Sequence, residues 1–452
     1  MTSKIVVNNI ESDSGINTVT IIGDVSVGSS ITATDITATH HGSGADLTNL
    51  PAANLTGTLP AISGANLTGI NTAFGSGTSV NTTGIITATA FVPTSQGALS
   101  HRNIIINGAM NVSQRGTSFT TVASGTYTLD RMRYHENIDS GVVTITQESV
   151  TDLPSFTKAI KINCTTAETG VPAKAGSKFV ALSHFLEGQD LQQLAYGTSS
   201  AKQITLSFYV KSNITGTFCV SIYKPDQTAR NVSLGYTINS ANTWERKTLT
   251  FPADTGGGGI DNDNGSGLQF YFVLARQQGY QGTASTTWGN NTDARFANLC
   301  TATIFENTND HIMFTGVQLE VGSVSTPFEH RSIGDELARC QRYYQVIAND
   351  NQQIISNIFC FENNRITGCR PLVCEMRTTP SVVDNTSGST RFRINANSDQ
   401  NTGNNINVNT TVSSPSALSI GIDSLASNMT NGAGGVVRKQ GSSAQLGVQA
   451  EL

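Results

Sequence analysis

Residues 203–211 read QITLSFYVK, and their alternation of apolar and polar side chains decides the fold class. Every second residue from Ile204 to Val210 is apolar, while the residues between them are polar or amphipathic. A period of two is typical of a β-strand that buries one face and exposes the other. We therefore predict a half-buried strand here.

The same alternation recurs at residues 177–185, 217–224, 268–276 and 311–321. In the last of these, the predicted core-facing residues are Met313, Thr315, Val317, Leu319 and Val321. Turn signals such as Pro225-Asp226 separate the strands. Eight or more strands of this kind predict a two-sheet antiparallel β-sandwich over residues 101–331.

A short helix is predicted to follow the sandwich, over residues 332–346. Ser332 and Asp335 have the spacing of an N-terminal cap. Beyond the helix, alternating stretches separated by Asn-rich and Gly-rich loops predict a smaller β domain over residues 347–452. The fold class is therefore all-β.

The first hundred residues differ from the rest, because they contain one basic residue, no Cys, Trp or Tyr, and short repeats. ANLTG occurs at residues 53–57 and 65–69, and ITAT at 31–34, 36–39 and 86–89. So little apolar surface cannot form a core in one chain, but three chains wound together can share it. We predict an extended, trimeric shaft; a disordered linker is the alternative.

Composition excludes several classes of function. The formal net charge is -5 and no run of Lys or Arg exists, so we expect no nucleic-acid binding. No stretch of about 20 apolar residues and no apolar leader occur, so we expect no membrane insertion and no usual secretion route. The seven cysteines lack CxxC spacing, and we expect no metal and no other cofactor.

Sugar recognition needs an aromatic face together with polar side chains for the hydroxyls. The first candidate is the Gly/Thr-rich stretch 275–296. Its candidate glycan-binding residues are Tyr280, Trp288, Asn290, Asn291, Asp293 and Arg295. The alternative is that Trp288 fills one end of the sandwich. Trp244 adjoins an alternating stretch and is predicted to pack in the core.

The second candidate surface lies in the C-terminal domain, where Arg and Asn residues alternate with apolar ones. Its residues are Arg391, Arg393, Asn395 and Asn397, and the alternative is a solvated loop. Neither surface has a catalytic motif nearby. The acidic pair Asp261 and Asp263 follows a run of glycines and is interpreted as part of a mobile loop. Because no catalytic motif occurs either, we expect no catalytic residue.

Four segments resemble a module of tail fibre and receptor-binding proteins of tailed bacteriophages, marine ones in particular. They are residues 103–116 (NIIINGAMNVSQRG), 127–135 (YTLDRMRYH), 311–345 (HIMFTGVQLEVGSVSTPFEHRSIGDELARCQRYYQ) and 375–383 (EMRTTPSVV). The resemblance implies a homotrimeric virion fibre whose N-terminal segment holds a phage tail or baseplate protein. The resemblance also implies that the sandwich is jelly-roll-like. Such a sandwich is similar to carbohydrate-binding modules, which implies contact with a host surface polysaccharide or protein.

The sequence therefore favours a non-enzymatic tail fibre that binds the host surface, most simply a glycan. Three alternatives stay open. One is a structural baseplate or tail component without receptor binding, and another is a depolymerase that degrades capsule. The third, a bacterial adhesin, needs an export route.

Overall fold

The computed structural model describes residues 6, 7, 26, 101–282, 286–362, 364–384, 392–396, 399–403, 407–408, 413–422, 429–440 and 445–452. The chain divides into two units, Met1–Thr87 and Ala88–Leu452, and every element given below belongs to the second. The predicted shaft over residues 1–100, with its repeats, lies outside the described residues.

A sandwich of two antiparallel sheets forms the larger domain. Its strands are β1 (Ser118–Phe119), β2 (Arg133–Glu136), β3 (Val142–Ser149), β4 (Lys158–Thr166), β5 (Phe179–Glu187), β6 (Ile204–Ser212), β7 (Gly216–Lys224), β8 (Arg230–Ile238), β9 (Glu245–Phe251), β10 (Ser266–Arg276), β11 (Gly289–Asn290) and β12 (His311–Val321). Short 3-10 helices occupy Val171–Ala173, Gly188–Leu194 and Gln278–Tyr280.

The strand order identifies the sandwich as a jelly roll. The first sheet has the order β1-β3-β4-β12-β6-β9, and the second has the order β11-β8-β7-β10-β5-β2. When the eight central strands are renumbered along the chain, from β4 to β10 and then β12, the sheets read 1-8-3-6 and 2-7-4-5. This is the arrangement of two interlocked Greek keys. The predicted all-β, jelly-roll-like fold is confirmed.

Strand β6, which contains most of residues 203–211, is buried as the alternation predicted. Ile204, Leu206, Phe208 and Val210 are fully buried between the two sheets. Tyr209 points to the opposite side and is half-buried there. The period of two therefore located the core face, but the strand is more than half-buried, because Thr205 and Ser207 on the other face are also buried.

Strand β12 departs from the predicted alternation. Ile312 and Phe314 face the core. The side chains of Met313 and Thr315 point to the outer face of the sheet instead. The pairing with β6 shifts between Thr315 and Gln318, which is a β-bulge at Gly316. Because a bulge adds one residue to the strand, odd-numbered side chains beyond it point to the face that even-numbered ones occupy before it. The prediction was wrong for Met313 and Thr315, while Leu319 does pair with the core residue Leu206.

The second sheet is buried on both faces, which the alternation in residues 177–185 did not predict. All nine residues of β5 are buried. On the outer side, the segment 291–305 covers the sheet: the ring of Phe296 lies 5.2 Å from that of Tyr271. The backbone N–H of Ala297 also donates to the Ser221 hydroxyl, 3.0 Å away. The segment 291–305 therefore closes the part of the outer face that it covers to solvent.

Helix α1 (Ile333–Gln341) follows the sandwich, and the Ser332 hydroxyl accepts a hydrogen bond from the backbone N–H of Asp335 as predicted. The prediction was wrong for the end of the helix, which it placed at residue 346, because a strand already begins at Tyr344. The smaller domain comprises β13 (Tyr344–Ala348), β14 (Ile354–Glu362), β15 (Arg365–Pro371), β16 (Ser381–Asp384), β17 (Phe392–Ala396), β18 (Asp399–Gly403), β19 (Asn407–Val408), β20 (Ala417–Ile422), β21 (Gly434–Lys439) and β22 (Leu446–Gln449). These form sheets of order β13-β22-β16 and β18-β17-β21-β14-β15-β20-β19.

Stacked arginines join the two β domains. The Arg131 guanidinium lies 3.5 Å from the ring centroid of Tyr343, and that of Arg115 lies 3.8 Å from that of Tyr344. Both arginines form ion pairs with Glu451. Arg115, Arg131 and the two tyrosines belong to the segments that carry the family resemblance. Those segments therefore meet at the domain junction, where they hold the domains together.

Candidate functional site

The aromatic residues of the first predicted site are inside the molecule. Tyr280 is 7% exposed, and its ring lies 5.4 Å from that of Phe179. Burial, with the charge of Asp293 contributing, raises the pKa of Tyr280 to about 12. Trp288 is 9% exposed; its indole N–H donates to the carbonyl oxygen of Pro252, 2.8 Å away. Neither ring offers a free face to a sugar, which corrects the expectation of an aromatic platform here.

The polar residues of that site lie at the surface, apart from the buried rings. Asn290, Asn291 and Asp293 are exposed, and Arg295 is half-buried. Two of them have partners on β8: Arg230 donates to the Asn290 side chain, and Asn231 donates to that of Asn291. The alternative interpretation, in which Trp288 fills one end of the sandwich, agrees with these positions.

Half of the second predicted surface is described. Arg393 and Asn395 alternate along β17 with buried residues and are half-buried themselves, so they lie on the outer side of the seven-stranded sheet. Arg391 and Asn397 lie outside the described residues.

Trp244 is at the surface and not in the core, which corrects the prediction made for it. Its indole N–H donates to the carboxylate of Asp152 over 2.9 Å, and the Lys211 ammonium lies 5.9 Å from its ring centroid. Residues of even number on β9 face outward, because Arg246 pairs with the outward Tyr209. Trp244 also has an even number and faces outward, whereas the core residues Leu249 and Phe251 have odd numbers.

The open cavity beside Trp244 is the best candidate for a binding site, and we call it the aromatic groove. It lies on the outer face of the first sheet and measures about 450 Å³. It is lined by Pro154, Ser155, Phe156, Tyr209, Arg246, Ser325, Thr326, Pro327, Phe328 and His330. These residues come from the β3–β4 loop, from β6 and β9, and from the segment 323–331, which we call the strap.

Four rings meet in the aromatic groove. Phe156 is 7% exposed and forms the floor; the ring centroids of Tyr209, Phe328 and His330 lie 5.2–5.3 Å from its own. Tyr209 and Phe328 are half-buried, and His330 is exposed. The groove therefore combines a buried apolar floor with ring surface that remains accessible from solvent.

The bulge at Gly316 allows the floor to form. Gly316 has φ +61°, and a Cβ built there would lie 2.7 Å from Phe156 Cζ and 3.0 Å from Tyr209 Cδ2. Contacts that short do not occur for real side chains, and a positive φ is also unfavourable for residues with a Cβ. The same glycine thus ends the alternation of β12 and makes room for two rings of the groove.

Buried polar side chains of β12 hold the strap against the sheet. The Gln318 amide donates to the Pro327 carbonyl over 3.2 Å, and the Thr326 N–H donates to the Glu320 carboxylate over 2.9 Å. The backbone N–H of Glu329 also donates to the side-chain oxygen (Oε1) of Gln318 over 2.7 Å. Gln318 and Glu320 are both nearly inaccessible to solvent. The strap wall of the groove is therefore positioned before any ligand binds.

A larger cavity of about 640 Å³ adjoins the aromatic groove and shares His330 with it. Two of its three arginines have carboxylate partners. Arg331 pairs with Glu329 and Glu336, and Arg342 pairs with Glu187. Because the pair of Arg342 and Glu187 joins the two β domains, we consider this cavity a part of the domain junction.

The sequence contained one signal for the groove, the outward Tyr209 on β6. Phe156 and Phe328 lie in irregular segments, where no period assigns a direction to a side chain. Their meeting depends on the fold of the strap, which alternation cannot predict.

Among the described residues, no helix has the length and hydropathy of a membrane span. In the same part of the chain, no three His, Cys, Asp or Glu side chains are grouped as a metal site would require. Asp263 accepts a hydrogen bond from the backbone N–H of Gly265, and Asp261 accepts one from the Gln227 amide.

No protein-family model matches the sequence, and no curated protein matches it either. Among solved structures, the chain is similar to the enzymatically active domain of tailspike protein 4 from bacteriophage CBA120, with 13% identity and a TM-score of 0.26. That match covers 45% of this chain and 21% of the tailspike chain.

The chain is also similar to the family 11 carbohydrate-binding module from Clostridium thermocellum in complex with a β-1,3-1,4-mixed-linked tetrasaccharide, with 11% identity and a TM-score of 0.24. That match covers 46% of this chain and 98% of the module. The assignment of this protein as a jelly roll rests on its own strand order.

Proposed function

We propose that this protein is a fibre protein of a tailed bacteriophage, located in the virion tail, which attaches the particle to a glycan on the host cell. The aromatic groove is the proposed sugar-binding surface. The observation that carries the proposal is the position of Tyr209 and Phe328, which are half-buried in an open cavity with the guanidinium of Arg246 beside them. The family resemblance of the strap and helix segments supports the viral context.

The chemistry of the groove suits a sugar. Aromatic faces pack against the apolar side of a pyranose ring, and nearby polar groups hydrogen-bond its hydroxyls. The groove supplies both, with polar donors from Ser155, Ser325 and Arg246. It is open to solvent, so a sugar chain can reach the rings.

Binding without catalysis is part of the proposal. Glycoside hydrolysis uses two carboxyl groups about 5–9.5 Å apart. None of the described residues that line the groove is Asp or Glu. If the protein were a depolymerase, host polysaccharide incubated with it would gain reducing ends; we expect no increase.

The proposed assembly is a homotrimer whose N-terminal segment binds a phage tail or baseplate protein. Three groove copies on one fibre would convert weak single-site contacts into stable attachment. Sedimentation of the full chain tests this part of the proposal. We expect an elongated particle of about three times 47.7 kDa, and a compact monomer would contradict it.

Binding of the full chain to a panel of immobilised bacterial surface polysaccharides tests the groove. We expect Tyr209→Ala and Phe328→Ala to weaken binding about tenfold each, because central aromatic contacts dominate such sites. Phe359→Ala is the matched control, since this aromatic is exposed on β14 of the other domain. Unchanged binding by both groove variants would overturn the assignment of the site, and no binding by the unaltered protein would overturn the function.

A further inference from the structure

We propose that the glycan bound in the aromatic groove is acidic, and that Arg246 forms an ion pair with its carboxylate or sulfate group. This inference rests on the proposed function, because it specifies the class of sugar that occupies the same groove. It is carried by the charge of the lining, by the position of Arg246, and by the partners of the neighbouring cations.

The lining of the groove carries a guanidinium and no carboxylate, within an acidic protein. Its ten lining residues include one arginine and one histidine, and no Asp or Glu is among these described side chains. The whole chain has a formal net charge of -5. A cavity whose lining lacks carboxylates in such a chain is unfavourable for a cation and favourable for an anion.

Arg246 is placed so that it can contact a sugar packed on Tyr209. The two residues are directly opposite each other on β9 and β6, where cross-strand side chains are neighbours. The Arg246 guanidinium donates one hydrogen bond, 2.8 Å long, to the Thr326 carbonyl oxygen. An arginine has five N–H donors in a planar fork, so this contact orients the group while other donors stay available for a ligand.

The lysines next to Arg246 along β9 and on the outer face of β6 are already paired, whereas Arg246 is not. Lys211 forms an ion pair with Asp152, and Lys247 forms one with Glu245. Within the described chain, Arg246 takes part in none of the ion pairs. It is also exposed, so an external anion can reach it without displacing a protein carboxylate.

The experiment compares acidic polysaccharides with their neutralised forms. Polymers of the panel that contain uronic acids are carboxyl-reduced, which converts each carboxylate to an alcohol with the linkage kept, and sulfated polymers are desulfated. Binding of the full-length protein to each pair is measured in low and in physiological salt. The two treatments distinguish a carboxylate from a sulfate as the recognised group.

We expect neutralisation to weaken binding about tenfold or more, since a charge-assisted hydrogen bond is lost. Arg246→Gln should weaken binding of the acidic form by the same factor and weaken binding of the neutralised form much less, because only a hydrogen bond to a hydroxyl is lost there. Arg365→Gln, which alters a partly exposed arginine of the other domain, should leave both unchanged. The acidic form should also bind more weakly as salt is raised.

Equal binding of acidic and neutralised polymers, with the groove variants Tyr209→Ala and Phe328→Ala still impaired, would overturn the acidic-glycan inference and leave the proposed function in place. The acidic-glycan inference is also overturned if Arg246→Gln weakens binding of the acidic and the neutralised polymers by the same factor. If the unaltered protein binds no polymer, the proposed function fails and this inference fails with it.

Discussion

The guanidinium of Arg342 donates two hydrogen bonds, each 2.7 Å long, to the two carboxylate oxygens of Glu187. Glu187 is the fully buried last residue of β5 in the sandwich, and Arg342 lies between α1 and β13. Tyr343 also donates its hydroxyl to Glu187. Burial raises the pKa of Glu187, but these hydrogen bonds outweigh it and the pKa is lowered overall. The carboxylate therefore stays ionised inside the junction of the two β domains.

Arg342→Ala should destabilise the junction by about 3 kcal/mol, because removal of one partner leaves a buried charge without compensation. Differential scanning calorimetry of the full chain measures the effect. We expect the transition of the smaller domain to separate from that of the sandwich and to move to lower temperature.

Arg339→Ala is the control for this prediction, since Arg339 lies on the same helix without belonging to the pair. The double variant Glu187→Leu with Arg342→Leu should be more stable than Arg342→Ala, because it leaves no unpaired buried charge. Equal melting curves for Arg342→Ala and Arg339→Ala would show that the pair does not hold the domains together.

Gly316→Ala should destabilise the sandwich by more than the cost of a positive φ alone. A residue with a Cβ in this conformation costs about 1 kcal/mol, and the contact with Phe156 adds to that. Gly170→Ala is the matched control, because Gly170 has φ +70° with nothing within 4 Å of the built Cβ. Urea unfolding of both variants gives the difference, and equal losses of stability would contradict the steric role assigned to Gly316.

Acid should destabilise the sandwich through His184 before most carboxylates titrate. Burial, with the charge of Arg131 contributing, lowers the pKa of His184 well below 6.5, so the folded protein keeps the ring neutral. The unfolded chain takes up a proton near pH 6.5. The unfolded state therefore binds more protons below that pH, and stability falls by up to about 1.4 kcal/mol per pH unit as the pH drops.

Chemical denaturation at pH 7.5, 6.5, 5.5 and 5.0 measures this dependence. His184→Gln removes the titrating ring and should flatten the slope between pH 6.5 and 5.0. His101→Gln alters an exposed ring and should leave the slope as it is. If His184→Gln leaves the dependence of the unfolding free energy on pH unchanged, His184 is not the cause of that dependence.

Trp288→Phe should lower stability without changing glycan binding. The substitution keeps an aromatic ring in the buried position but removes the hydrogen bond to the Pro252 carbonyl, at a cost of about 1 kcal/mol. Thermal unfolding and the polysaccharide panel are measured on the same preparation. A loss of binding at unchanged stability would instead support the site predicted from residues 275–296.

Local pattern sufficed where a side chain's environment follows from its own strand. The alternation in residues 203–211 predicted which side of β6 is buried, and Ser332 with Asp335 predicted the start of α1. The pattern failed at Gly316, because a bulge exists only relative to a partner strand. It also failed for Trp244, which precedes β9 and lies at the surface, where its indole N–H donates to Asp152.

The sequence by itself determined that this protein is built of antiparallel β-strands, in a sandwich followed by a second β domain, since period-two burial is a property of each short segment. The jelly-roll order of the strands follows from the tertiary structure. Only the tertiary structure decided which aromatic residues face solvent. Tyr280 and Trp288 are covered by Phe179 and Tyr196, which lie far away in the chain. The aromatic groove likewise exists because the strap folds back across the sheet, and contacts between distant segments follow from packing and not from any local period.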